Sequence, residues 1–243
     1  LVLLPVLLPA EARCQQAAGA PPQNAKPAAF VPRALSRFQR QEVEWLLEQR
    51  LPCLGCHRIR GQGGTIGPDL TDVGSRRTPG FIYGMIADPQ GTLPGSRMPR
   101  TVMPERWIEL LAQYLVSLKG SETRAPLEDP RGTPGDRGWA AIEDPAALYR
   151  QACAPCHGVE GKGDGYNAAN LPVRPTAHAD SAYLATRPDD TLFDGIFAGG
   201  YILNKSPRMP AFGASLSREQ IRGLVRYLRQ LCRCRGPEWE GRR

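Results

Sequence analysis

The sequence predicts an all-α protein built as two small tandem domains, and three observations carry that prediction. A Cys-x-x-Cys-His motif occurs twice, at Cys53 to His57 and at Cys153 to His157, 100 positions apart. Each motif is followed at a distance by an amphipathic helix pattern. The first has Ile108, Leu111, Leu115 and Leu118 with Tyr114; the second has Ile221, Leu224, Leu228 and Leu231 with Tyr227, and all five pairs are offset by 113. The i, i+3, i+7, i+10 spacing puts each set on one helix face. Between motif and helix lie Gly- and Pro-rich loops without the alternating apolar pattern of strands.

Composition fits this plan. At about 100–200 residues per domain, 243 residues allow one large domain or two small ones. Hydrophobic residues at 41% and charged residues at 23% exclude wholesale disorder. The 24 Pro and 26 Gly point to loops rather than continuous sheet or long helices. Aromatics at 7% are too few for a dense aromatic core, so something else must fill the interior. Seven Cys, an odd number, argue against a plain disulfide framework.

Taken in order, residues 1–12 read as the remnant of a signal peptide. The apolar run Leu1 to Leu8 falls far short of the ~20 residues that span a bilayer. It is followed by Ala10-Glu11-Ala12, a small-x-small site of the kind signal peptidase cuts, which predicts an exported, periplasmic protein. Lipidation of Cys14 is the weaker variant, because Glu11-Ala12-Arg13 lacks the small residue expected just before a lipidated Cys. Residues 13–33, rich in Ala, Gln, Pro and Gly, read as a flexible tether. The first domain spans 34–119, with Val43, Leu46 and Leu47 forming a helical lead-in to Cys53. Residues 120–145, rich in Pro, Gly and acidic side chains, form the linker. The second domain spans 146–235, with Ala147 and Leu148 before Cys153, and 236–243 is a tail.

The paired CxxCH motifs are sites for covalent attachment of c-type haem. Two thiols add across the porphyrin vinyl groups, and the next residue, His, is delivered to the iron. For zinc, the two motifs would have to meet across domains, and both His would need another purpose. Thioredoxin chemistry lacks its βαβ context. The sequence therefore predicts two haem c groups, one on Cys53 and Cys56 and one on Cys153 and Cys156, with His57 and His157 as axial ligands to iron.

Each iron needs a second ligand to be closed. In the second domain Met209, followed by Pro210, is the only Met. In the first, Met98 shares its Arg-Met-Pro setting with Met209, since Arg97-Met98-Pro99 matches Arg208-Met209-Pro210. Measured back from the matched helices, Met98 is displaced by only two residues. Met103 is the rival, but it stands so near Trp107 that little loop remains to bring it to an iron. Met85 lies in an apolar run and reads as core packing. His178 is an alternative axial ligand at the second site, although a solvated loop His is the more ordinary reading.

On these residues the chain resembles the class I c-type cytochromes, in their two-domain di-haem form. The likeness covers most of residues 34 to 231 and rests on CxxCH, a later Met-Pro and a closing helix with an aromatic. Gly67-Pro68-Asp69-Leu70 matches the family's Gly-Pro-x-Leu, which implies that the Pro68 carbonyl orients His57 through its Nδ1–H. In the second domain Pro172 and Pro175 both fall in the right region. The resemblance implies a single-electron carrier with two His/Met haems and no catalytic residue, either free or as the cytochrome subunit of a respiratory complex. The alternative is a di-haem enzyme of the peroxidase or thiosulfate-dehydrogenase type, which needs one open or unusually ligated iron.

Three Cys remain. Cys232 and Cys234 stand too close for an easy mutual disulfide, which leaves pairing of one of them with Cys14 or a partner chain, or a metal. The net charge of +7 includes Arg218, Arg222, Arg226, Arg229 and Arg233, spaced as one basic stripe along the last helix. Such a stripe is either a solvated face or a surface that steers redox partners with acidic docking patches. Nucleic acid is not expected, as no aromatics interleave the stripe. Proximity to a membrane, through the N-terminus or a membrane complex, is compatible with the tether.

Overall fold

A computed structural model describes residues 30–120 and 138–239. The expected signal-peptide remnant, Cys14, most of the tether, the middle of the linker and the last four residues lie outside them.

The described residues are mostly helical, as the sequence predicts. Helix α1 (Arg37–Trp45) starts at a capping box: Ser36 Oγ accepts the Gln39 N–H, and the Gln39 side chain accepts the Ser36 N–H. A π-turn, Leu46–Arg50, carries the chain into α2 (Cys53–Cys56), which is the first CxxC. Two short strands, β1 (Arg58–Ile59) and β2 (Gln62–Gly63), then three helices, α3 (Val73–Arg76), α4 (Pro79–Ala87) and α5 (Pro89–Thr92), lead to α6 (Glu105–Ser117). The second half repeats the scheme with α7 (Pro145–Ala152), α8 (Ala154–His157), α9 (Ser181–Ala185), α10 (Asp189–Ala198) and α11 (Arg218–Cys232). Asp144 caps α7, with Pro145 at its first position, and Ser217 with Gln220 forms a second capping box on α11.

In each half the closing helix packs on the helix that precedes the CxxCH. Helix α6 lies against α1 and α4, and α11 against α7 and α10. The predicted apolar stripes supply these contacts. Leu111, Tyr114, Leu115 and Leu118 are buried with Val43 and Leu46, while Ile221, Leu224 and Leu228 are buried with Leu148 and Tyr149. Each fully buried side chain of this size contributes about 1.5–3 kcal/mol. Ile108 and Leu231, at the ends of the stripes, are only partly buried.

Several expectations are corrected. The all-helical reading missed the β1–β2 hairpin, which is two residues per strand and too short to leave a period in the sequence. The stretch read as tether is anchored at its end: the Phe30 ring stacks on Tyr83 at 5.0 Å, and the Arg33 N–H donates to Gln113 Oε1. The end of the expected linker is part of the second core, where Trp139 packs edge-on against Phe212 and Gln220 Nε2 donates to the Trp139 and Ile142 carbonyls.

Cys232 pairs with Cys234. Arg233 between them adopts a left-handed conformation (φ 50°), which folds the chain back at the end of α11 and brings the two Cα atoms to 5.1 Å. The basic stripe is not one free face either. Arg229 turns inward onto Asp189 and the Leu184 carbonyl, and Arg218 lies over the Phe193 and Phe197 rings.

Candidate haem-attachment sites

Each CxxCH is one helical turn closed by its own backbone. The His57 N–H donates to the Cys53 carbonyl at 2.8 Å, and the His157 N–H to the Cys153 carbonyl at 2.9 Å. In such a turn the first Cys, the second Cys three residues on and the His four residues on share one face. All four thiols are free. Burial pushes the Cys53 thiol up to about 11 and the Cys153 thiol up to about 12. Burial and, after it, the neighbouring Cys156 push Cys56 up to about 12.

The two imidazoles are held alike. His57 Nδ1 lies 2.8 Å from the Pro68 carbonyl, and His157 Nδ1 lies 2.9 Å from the Thr176 carbonyl. A carbonyl only accepts, so Nδ1 carries the proton in both rings and Nε2 keeps a free lone pair. Burial lowers both His pKa values, and the carbonyl bonds only partly oppose it, so the rings are neutral near pH 7. The backbone passes so close to His57 that a Cβ on Gly67 would stand 2.4 Å from its Cε1, which only glycine allows. In the second half the acceptor is Thr176 rather than Pro172 or Pro175, because the chain crosses His157 one residue after Pro175.

His178 lies two residues beyond that acceptor, as Leu70 lies two beyond Pro68. Its ring stacks on His157, and its Nδ1 is 3.0 Å from the Tyr149 hydroxyl, whose own proton has the Gly158 carbonyl within reach at 3.2 Å. Tyr149 is fully buried and packs against Tyr227 of the closing helix.

Met209 packs against the second core, its carbonyl accepting the Gly200 N–H at 3.1 Å. The Met98 N–H donates to Ser96 Oγ, and its carbonyl accepts from Gln90 Nε2 at 2.6 Å. Met103 packs against the first core beside Trp107, immediately before Pro104, the N-cap of α6. Met85 lies on α4 next to buried Ile86.

The two motifs meet across the halves. A Cβ on Gly55 would stand 2.1 Å from the Arg208 carbonyl oxygen, so the residue before Met209 packs directly on the first CxxC. Arg208 Nη1 donates to the Leu47 carbonyl, and the Arg50 guanidinium sits 3.8 Å from the Tyr201 ring centroid. Fully buried Asn167 bridges the two loops. Nothing in the sequence singled it out, since an Asn after Gly-Asp-Gly-Tyr reads as an ordinary turn residue.

The donor set fits a c-type haem at each motif: two free thiols and one neutral imidazole with an available Nε2, on a single helical turn. Cys53, Cys56 and His57 would hold one group, and Cys153, Cys156 and His157 the other. Residues 140–228 match the family described as cytochrome C oxidase, cbb3-type, subunit III. Among solved structures, the chain is similar to one in the Kuenenia stuttgartiensis reducing HAO-like protein complex. The identity is 25% over 73% of this chain and 79% of that chain, with a TM-score of 0.30. No curated protein matches.

Proposed function

We propose that the chain is a di-haem cytochrome of the class I c type that passes single electrons between redox partners, a reading supported by the family match over residues 140–228. The observation that carries the second haem is the repeated geometry outside the matched residues. His57 is fixed through Nδ1 on a backbone carbonyl at 2.8 Å, as His157 is at 2.9 Å, each beside two free thiols.

Bound covalently in this way, haem supplies a one-electron couple between ferric and ferrous iron. The chain does the rest. The Pro68 and Thr176 carbonyls hold the rings in one tautomer and raise their basicity as ligands. Met98 and Met209 would hold the iron from the other side, and a thioether there would favour the ferrous state and raise the potential. Met103 takes a different part. It stands where Leu216 stands before Ser217, the N-cap of α11, so it is the apolar residue that seats the closing helix.

Two domains joined by a linker within residues 120–145, an exported periplasmic setting and partners of complementary charge complete the proposal. Among the described residues no helix is long and apolar enough to cross a membrane. Haem content per chain, followed by absorption spectra of oxidised and reduced protein with and without CO, tests it. Two low-spin haems with thioether ligation and no CO response are expected. One haem per chain would remove the di-haem reading. A high-spin component or fast CO binding would instead favour a di-haem enzyme with an open iron.

A further inference from the structure

The two attachment loops are joined through one side chain. Asn167 is 0% exposed. Its Nδ2 donates to the Gly55 carbonyl at 2.8 Å and lies 3.3 Å from Cys156 Sγ. Its Oδ1 accepts the Thr65 N–H at 2.8 Å. Its own backbone N–H donates to the Pro155 carbonyl at 2.9 Å, inside the second CxxCH. The orientation of the amide is fixed by its partners, because the Gly55 carbonyl needs a donor and the Thr65 N–H needs an acceptor. A carboxylate offers no donor and an aliphatic side chain offers neither, so a primary amide is what this position demands.

Gly55 is covalently continuous with Cys56. A run of hydrogen bonds and covalent bonds therefore leads from Cys156 Sγ, through the Asn167 amide and the Gly55 carbonyl, to the Cys56 side chain. These sulfurs are the ones that become thioethers to the two haems. We propose that Asn167 is the positioning residue for electron exchange between the two haem sites: it locks the attachment loops in register and supplies a bonded route between them. The inference rests on the di-haem reading above. The exchange moves one electron from ferrous iron at one site to ferric iron at the other. No covalent bond forms or breaks and no proton moves, and the carboxamide does not titrate.

The same seam contains a comparator. Asn170 Oδ1 accepts from Arg58 Nη2 at 3.3 Å, and its Nδ2 makes only long contacts, 3.5 Å each, to Thr65 Oγ1 and to Asn167 Oδ1, so its removal leaves the short Thr65 and Gly55 bonds of Asn167 in place. The test uses the full, haem-loaded chain as wild type, Asn167→Ala, Asn167→Ser and Asn170→Ala, with haem content and both midpoint potentials measured first. Two readouts follow: hydrogen exchange at the Thr65 amide, and the rate of electron equilibration between the haems after photoinduced one-electron reduction. In both Asn167 variants, exchange at Thr65 should quicken about tenfold, the factor for roughly one lost hydrogen bond. Equilibration should slow several-fold while potentials and haem content hold. Asn170→Ala should leave the equilibration rate near wild type. Unchanged Thr65 exchange, an unchanged rate in a two-haem Asn167 variant, or equal slowing in Asn170→Ala would overturn the inference. A wild-type chain with one haem would sink the di-haem reading and the inference together, an outcome that the haem count alone identifies.

Discussion

The ring of His178 lies face to face with that of His157, centroids 4.0 Å apart and planes 15° from parallel. Two imidazoles that shared one iron would face each other across it through their nitrogens. Rings stacked on their faces leave no room for a metal between those nitrogens, so His178 is a packing partner of His157. Replacing His178 with Leu, the residue found at the matching place after Pro68, is expected to leave the second haem low-spin and closed to CO. Its cost is about 1 kcal/mol for the lost bond to Tyr149, partly recovered by apolar packing. A parallel Met209→Ala variant should open the iron and bind CO when reduced. Spectra of the two variants decide the point: a new high-spin haem in His178→Leu would make His178 the ligand.

Met98 and Met103 separate by the same logic. Met103 shares with Leu216 the position immediately before the N-cap of the closing helix, and both pack against the core of their half. Met103→Leu should therefore keep both haem spectra and change stability by less than ~1.5 kcal/mol, as volume-conserving apolar swaps do. Met103→Ala should lower stability by about 2 kcal/mol through a cavity, with the iron still closed. Met98→Ala should do the reverse, with CO binding at one haem and little loss of stability. CO titration of each variant, paired with urea denaturation, distinguishes them.

The folded core was legible because its signals repeat. The stripes from Ile108 and Ile221 carry a helical period and the same offset, and the structure buries their central residues as pairs of the pre-motif helices. The candidate attachment residues stand out in the sequence because CxxCH compresses its chemistry into five positions. The carbonyl that holds His157 was not, since a backbone acceptor has no residue type of its own. Leu70, two residues beyond Pro68, is replaced by His178 in the second half. Asn167 was invisible for another reason: its partners, Gly55 and Thr65, are more than 100 residues away, and no local pattern reports a contact of that range.

The Cys232–Cys234 disulfide closes only three residues, and a loop that short has little chain entropy to remove. The loop-closure relation gives about 1.6 kcal/mol for it. Reduction, or Cys234→Ser, should thus cost no more than that in a denaturation experiment and leave haem content intact. A loss of more than about 3 kcal/mol would mean that the bridge holds the end of α11 in ways that its loop length does not convey.

Arg229 and Arg222 belong to the same apparent basic stripe and should respond in opposite ways to removal. The Arg229 side chain is 13% exposed. Its Nε donates to Asp189 at 2.8 Å, its Nη1 to the Leu184 carbonyl at 2.7 Å and its Nη2 to the Arg187 carbonyl. It thereby ties the junction of α9 and α10 to α11 through one planar group. Arg229→Ala strands the Leu184 and Arg187 carbonyls, for an expected loss of about 2 kcal/mol. Arg229→Lys should recover only part of this, because one ammonium cannot reach in the three directions that the guanidinium spans. Arg222 is exposed and pairs with Glu219 one turn away, so Arg222→Ala should stay within ~0.5 kcal/mol. Urea midpoints of the three variants, read at equal haem content, test the contrast. Equal midpoints for Arg229→Ala and Arg222→Ala would return Arg229 to the solvated face and leave the α9–α10 junction held by apolar packing alone.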